Sequence, residues 1–142
     1  MTGAVDTARI VLDASAAANV VMRTGRAPAL LTILERSQLV IAPTLFHSEM
    51  ANTLWKYVCA GDIDKDTALD RYEEATGLVD AFEADERLVT EALSDAIRYQ
   101  HPVYDLLYLT VARRYGCGIL TVDSRLAQLV GKSGESLVGI PD

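Results

Sequence analysis

Short, continuous apolar runs separated by longer helical stretches constrain this chain more than any other feature. The runs are Arg9–Leu12, Leu39–Ala42, Leu78–Phe82 and Ile119–Val122, with a last short one at Leu137–Ile140. They are dominated by Val, Ile, Leu and Ala and are too short to make helices of useful length. Strands that read as unbroken apolar runs are buried on both faces, and such strands belong to parallel sheets whose crossovers are helices. The sequence therefore predicts an α/β fold: a doubly wound, mostly parallel sheet of four to five strands, flanked by helices on both faces.

The helical stretches carry their own punctuation. An Ala-rich segment follows Asp13, and Pro28 suits the first turn of a second helix through Leu30, Leu31, Ile33 and Leu34. Pro43 is expected to open a third helix reaching about Ala60, with Gly61 in a position that ends helices. Asp64 caps a fourth, with Ala68, Leu69, Tyr72 and Ala75 on one face and Gly77 at its end. Leu88, Ala92, Leu93 and Ala96 repeat at helical spacing to about Tyr99. Pro102 then breaks the chain before a helix from Val103 to Tyr115, closed by Gly116 and Gly118, and a short last helix runs from Asp123 to Val130. No internal repeat or linker-like run interrupts this order, so a single domain over residues 1–142 is expected.

Charge at first argues against a polyanionic partner, because the net charge is −7. Its distribution changes that reading. Twelve Asp and Glu lie between Asp62 and Asp95 against only Lys65, Arg71 and Arg87, a local balance of −9. The remainder carries +2, which becomes +6 once four further carboxylates named below are neutralised. The apolar stretches are broken before the roughly 18 residues that a membrane span needs, and the N-terminus lacks the pattern of a secretory signal. Cys59 and Cys117 stand alone without CxxC spacing and read as small buried hydrophobes in a reduced cytoplasmic setting.

Four carboxylates stand out. Asp13 directly follows the first strand and Asp123 the fourth; ligands of open parallel sheets bind beyond the carboxyl ends of strands, near the reversal of strand order. Each also reads as an ordinary helix N-cap. Asp105 is the only charged residue between Pro102 and Ala112. A helix so apolar is buried almost all round, and a lone carboxylate there is costly unless paired or bound to metal. Glu49 sits at the border of the apolar stripe of Phe46, Met50 and Leu54, where a Glu ordinarily just reaches water. Together they carry more weight than singly. Unit charges about 6 Å apart repel by roughly 3 kcal/mol per pair at an effective dielectric near 20, so such a cluster needs hard cations or protons. An all-oxygen set suits Mg²⁺ or Mn²⁺, whereas His47 and His101 are too few and isolated for a zinc site and read as surface or loop residues.

Four segments, in this order and spacing, resemble the PIN domain: Val11–Ser15, Pro43–Leu54, Val103–Leu109 and Leu120–Leu126. The compact length further resembles VapC-type toxins of toxin–antitoxin pairs. The resemblance implies an acidic pocket formed by Asp13, Glu49, Asp105 and Asp123, holding Mg²⁺ or Mn²⁺, with Ser15 as a hydroxyl that hydrogen-bonds a carboxylate or bound water. It also implies an RNA substrate, homodimerisation and a VapB-type antitoxin whose C-terminal segment covers the pocket. Asn52 and Arg125 match common family positions, where a structural role is equally open. Arg23, Arg26, Lys56, Arg98 and Arg125 are the basic residues considered for gripping phosphate, and nothing in the sequence ranks them.

The activity expected on these grounds is hydrolysis of RNA phosphodiester bonds. Two rivals share the fold: a catalytically silent PIN-like interaction module, and a PIN ribonuclease with an RNA-processing role and no antitoxin. Phosphoryl-accepting folds fit poorly. A haloacid-dehalogenase-like phosphatase wants a second Asp two residues after the nucleophile, where this chain has Ser15. A receiver wants an acidic pair before its phosphorylated Asp, where Leu12-Asp13 offers one acid.

Overall fold

The computed structural model describes residues 8–141. Four parallel strands, β1 (Arg9–Leu12), β2 (Leu39–Pro43), β3 (Ala81–Glu83) and β4 (Gly118–Leu120), form one sheet in the order β3-β2-β1-β4. Register pairs Val11 with Ile41 on one side and with Ile119 on the other. The helices are α1 (Ala14–Val21), α2 (Ala27–Arg36), α3 (Leu45–Cys59), α4 (Lys65–Gly77), α5 (Val89–Tyr99), α6 (Val103–Tyr115) and α7 (Ser124–Ser133).

Two cores sandwich the sheet, because successive strand residues point to opposite faces. Ile10, Leu12, Val40, Ala42 and Leu120 pack with residues of α1, α2, α3 and α4. Val11, Ile41 and Ile119 face the other way, into a core built from α5, α6 and α7. The doubly wound architecture expected from the sequence is the one observed. Strand order reverses between β1 and β4, since the chain steps outward from β1 to β3 and then returns to the free side of β1 for β4. That reversal is where a ligand crevice is expected.

Element ends differ from the sequence reading at several places; Gly118 opens β4 and does not close α6, and α7 runs on past Val130 to Ser133. Pro43 does not open α3; it is the last residue of β2, paired with Glu83. The Leu45 N–H at the head of α3 is instead satisfied at 3.0 Å by the Asp85 carboxylate, which lies in a single 3-10 turn after β3. The third strand starts at Ala81 and not Leu78, because the Leu78 and Val79 N–H groups still donate back into the last turn of α4. The fourth strand stops at Leu120, because Thr121 and Val122 turn their polar groups toward Asp13 and Ser15. Leu137–Ile140 is not a strand: one parallel bridge joins Leu137 to Ile119, so the sheet has four strands. Gly61 ends α3 as expected, in the left-handed region at φ 79°, with its N–H on Val58 and that of Asp62 on Tyr57. Among the described residues no helix is long and apolar enough to cross a membrane.

Candidate active site

The topology brings the carboxylates to one edge from four separate elements. Asp13 immediately follows β1, and Asp123 begins α7 just beyond β4, on the adjacent strand. Asp105 sits in the first turn of α6, the helix that leads back into β4, and Glu49 in the second turn of α3. Their fields overlap. Burial pushes the Asp13 carboxyl above its ordinary value, hydrogen bonds from Ser15 and Thr121 oppose that, and Asp105 and Asp123 raise it further. Burial also lifts Glu49, to about 7; the Tyr108 hydroxyl works against the rise, while Asp13, Asp105 and Asp123 add to it.

Each carboxylate has its own anchor. Asp13 stands at the N-cap of α1 but makes no side-chain cap bond, so capping is not what holds it there. It is 6% exposed and accepts through one oxygen, Oδ2, from the Ser15 hydroxyl and, at 2.7 Å, from the Thr121 hydroxyl. Those two hydroxyls lie 3.2 Å apart, and they accept the N–H groups of Val122 (3.2 Å) and Asp123 (3.0 Å) respectively. The chain leaving β4 is thereby sewn to the head of α1. Asp123, by contrast, does cap its helix, accepting the Arg125 N–H at 3.1 Å. Glu49 is half-buried and receives the fully buried Tyr108 hydroxyl at 2.6 Å. Asp105, also half-buried, meets His101 Nε2 at 2.7 Å across one helical turn.

All five residues singled out in the sequence, Asp13, Ser15, Glu49, Asp105 and Asp123, therefore fall at this edge. Among the described residues, no three Asp, Glu, His or Cys side chains close round a common point as a ready-made metal cage. The four carboxylates are an electrostatic cluster whose members are anchored separately. Their donor set nonetheless suits a hard cation: every donor is a carboxylate oxygen, and mutual repulsion with desolvation leaves the cluster short of positive charge.

Two members of the site carry no signal in the sequence, and a third differs from its expected role. Tyr108 and Thr121 are the two, and the one available cue is that Tyr108 lies three residues from Asp105 on the same helical face. His101 is not an ordinary loop residue, since it is the partner that makes a carboxylate tolerable at the head of an apolar helix. His47 has a structural role, bonded to Tyr72 at 3.0 Å and stacked on Phe82 at 4.2 Å between ring centroids. Of the candidate phosphate-gripping residues, Arg23 is already paired with Glu74 and Arg98 lies against Tyr99. Arg125 alone among them is tied by its backbone to the cluster. Asn52 is exposed and Cys59 is exposed too, contrary to its expected burial; Cys117 is buried. An apolar groove of about 450 Å³, lined by Trp55, Val58 and Leu69, lies between α3 and α4 and holds no titratable group besides Lys65 and Tyr72.

Comparison with known proteins agrees with this geometry. Ribonuclease VapC3 of Pyrobaculum aerophilum is 28% identical over 122 residues, which covers 84% of this chain and 93% of that protein. The crystal structure of PAE2754 from Pyrobaculum aerophilum superposes with a TM-score of 0.71 at 20% identity, covering 94% of this chain and 91% of the other, a likeness of fold. The PIN domain family model matches residues 10–132, a span that contains every carboxylate of the cluster and, apart from Arg9 at the start of β1, all four strands. With strand order, site position and family match in agreement, this chain belongs to the PIN domain family.

Proposed function

We propose that this chain is an endoribonuclease dependent on Mg²⁺ or Mn²⁺, and the toxin of a type II toxin–antitoxin pair. The observation that carries the reading is the convergence of four mutually repelling carboxylates at the sheet's switch point, with Glu49 lifted to about 7. The likeness to Ribonuclease VapC3 supports the choice of RNA as substrate. Asp13, Glu49, Asp105 and Asp123 would hold the cation. When bound, it supplies Lewis-acid polarisation of the phosphodiester and a more acidic water.

The protein's own part is orientation and charge. Ser15 and Thr121 hold Asp13 in one rotamer, leaving its Oδ1 outside that hydroxyl pair. Tyr108 fixes Glu49 from beneath, and His101 steers Asp105. Because Glu49 carries a proton up to about pH 7, cation binding must displace it, which makes metal affinity rise with pH. As part of the same reading, the chain acts in the cytoplasm as a homodimer and is restrained by a VapB-type antitoxin.

Calorimetric titration with Mn²⁺ separates this reading from a silent interaction module. Wild type should bind and Asp13→Asn should not; equal heats from both proteins count against the site. Induced expression tests the toxin role. Growth arrest relieved by Asp13→Asn supports it, whereas equal harmlessness at matched protein levels favours an RNA-processing enzyme without an antitoxin.

A further inference from the structure

Next to the carboxylate cluster lies a polar pocket of about 280 Å³, walled by the α5–α6 turn on one side and by α7 on the other. Gln100 and His101 contribute from the turn, and Arg125, Gln128 and Lys132 from the helix; no carboxylate lines it. Both walls are bonded to the cluster itself, His101 to Asp105 at 2.7 Å and the Arg125 N–H to Asp123 at 3.1 Å. The pocket and the cluster are thus neighbouring parts of one edge.

Its cations differ from those that are tied down in ion pairs: Arg113 reaches Glu91, Asp95 and Glu135, Arg114 reaches Glu91, and Arg23 and Arg71 share Glu74. Among the described residues, neither Arg125 nor Lys132 takes part in an ion pair. What sets the pair apart is its place: in a chain of net charge −7, Arg125 and Lys132 line one pocket that no carboxylate lines, directly beside the cluster. Gln100 adds to the picture. It sits in the left-handed region at φ 52°, a strained conformation for a residue without glycine's freedom, and so keeps an amide in the wall where a helix commonly ends in glycine.

Resting on the ribonuclease reading, we propose that this pocket seats a backbone phosphate of the RNA flanking the scissile one. Arg125 takes the nearer oxygens, and Lys132, two turns further along α7 and about 10 Å away by helical rise, takes the outgoing strand. The volume falls just below the roughly 300 Å³ at which small-molecule pockets begin, and it suits one sugar-phosphate unit of a longer chain. Backbone contact also explains how an acidic protein retains a polyanion: attraction is concentrated beside the site. Contacts of this kind position the substrate and carry no base preference.

The test is the salt dependence of kcat/KM in Mn²⁺, read with a mixed-sequence single-stranded RNA library carrying a fluorophore and a quencher. Each lost phosphate contact should flatten the log–log salt slope by about 0.7, equivalent to a roughly fivefold loss at about 0.1 M salt. Lys132→Gln should show that loss, Arg125→Gln/Lys132→Gln about twice the slope change, and Gln128→Glu, which places an acid in the pocket, a comparable or larger drop. Arg36→Gln, at the far end of α2 outside the pocket, controls for net charge and should keep the wild-type slope. Wild-type slopes in the pocket variants, or an equal change in Arg36→Gln, overturn the pocket and leave the nuclease reading intact. Absence of any Mn²⁺-dependent cleavage by wild type overturns both.

Discussion

Removing the charge of Glu49 while keeping its shape should stabilise the metal-free protein at alkaline pH and do nothing at acid pH. The Glu49 carboxyl moves from its ordinary 4.5 to about 7 on folding. Folding therefore takes up a proton between those values, and the stability this group contributes is complete below about 4.5 and lost as pH rises through 7. At 1.36 kcal/mol per pH unit the full difference is about 3 kcal/mol, an upper bound. The side chain is half-buried, so solvent screening reduces this to ~1–2 kcal/mol. Gln retains an oxygen to accept the Tyr108 hydroxyl, so the substitution deletes charge and little else. Thermal melts in EDTA should show Glu49→Gln equal to wild type near pH 5 and higher by about 3–7 °C near pH 8 for a domain of this size. A variant less stable than wild type at pH 8, or a difference independent of pH, refutes the electrostatic argument.

The neighbouring anchors give further outcomes. Tyr108→Phe removes the bond that holds Glu49 down, so the Glu49 pKa should rise above 7 by carboxyl NMR titration, with a stability loss of about 1–2 kcal/mol at pH 8. His101→Ala, which frees Asp105, should weaken Mn²⁺ binding on the order of tenfold by calorimetry while leaving the fold intact by circular dichroism. Wild type at Mn²⁺ about a hundredfold above its Kd should gain ~2.7 kcal/mol of stability, and Asp105→Asn much less, read by melting with and without the ion. Mn²⁺ affinity itself should increase between pH 6 and 8 as the Glu49 proton is surrendered, and a flat profile contradicts that linkage.

The fold was legible because its strands are buried on both faces. Ile10-Val11-Leu12 and Val40-Ile41-Ala42 show unbroken apolar character only because helices cover each side. Element ends were less legible, and the cause is polar groups acting from a distance in sequence. Asp85 satisfies the head of α3 from forty residues away, and Ser15 and Thr121 draw β4 to an early stop. Nothing local to Pro43 or Val122 announces either. The carboxylates were visible for a related reason: Asp105 interrupts an apolar helix, Asp13 directly follows β1, and Asp123 closes the apolar run that contains β4. Their anchors were not. His101, Tyr108 and Thr121 are common residue types whose importance comes from distances of 2.6–2.7 Å to a carboxylate, set by packing and not by motif. Lys132 carries no local signal, because it shares a pocket with His101 only when α7 lies beside the α5–α6 turn.

The central claim, that the carboxylate cluster cleaves RNA with a hard cation, meets its most direct test in one continuous assay. Purified chain is mixed with structured RNA and Mn²⁺, the initial rate is recorded, and EDTA is added to the same reaction. The account predicts steady cleavage that stops on chelation, resumes with excess Mn²⁺ or Mg²⁺, and is absent from Asp13→Asn throughout. Cleavage that continues undiminished in EDTA, or that Asp13→Asn matches, would contradict it.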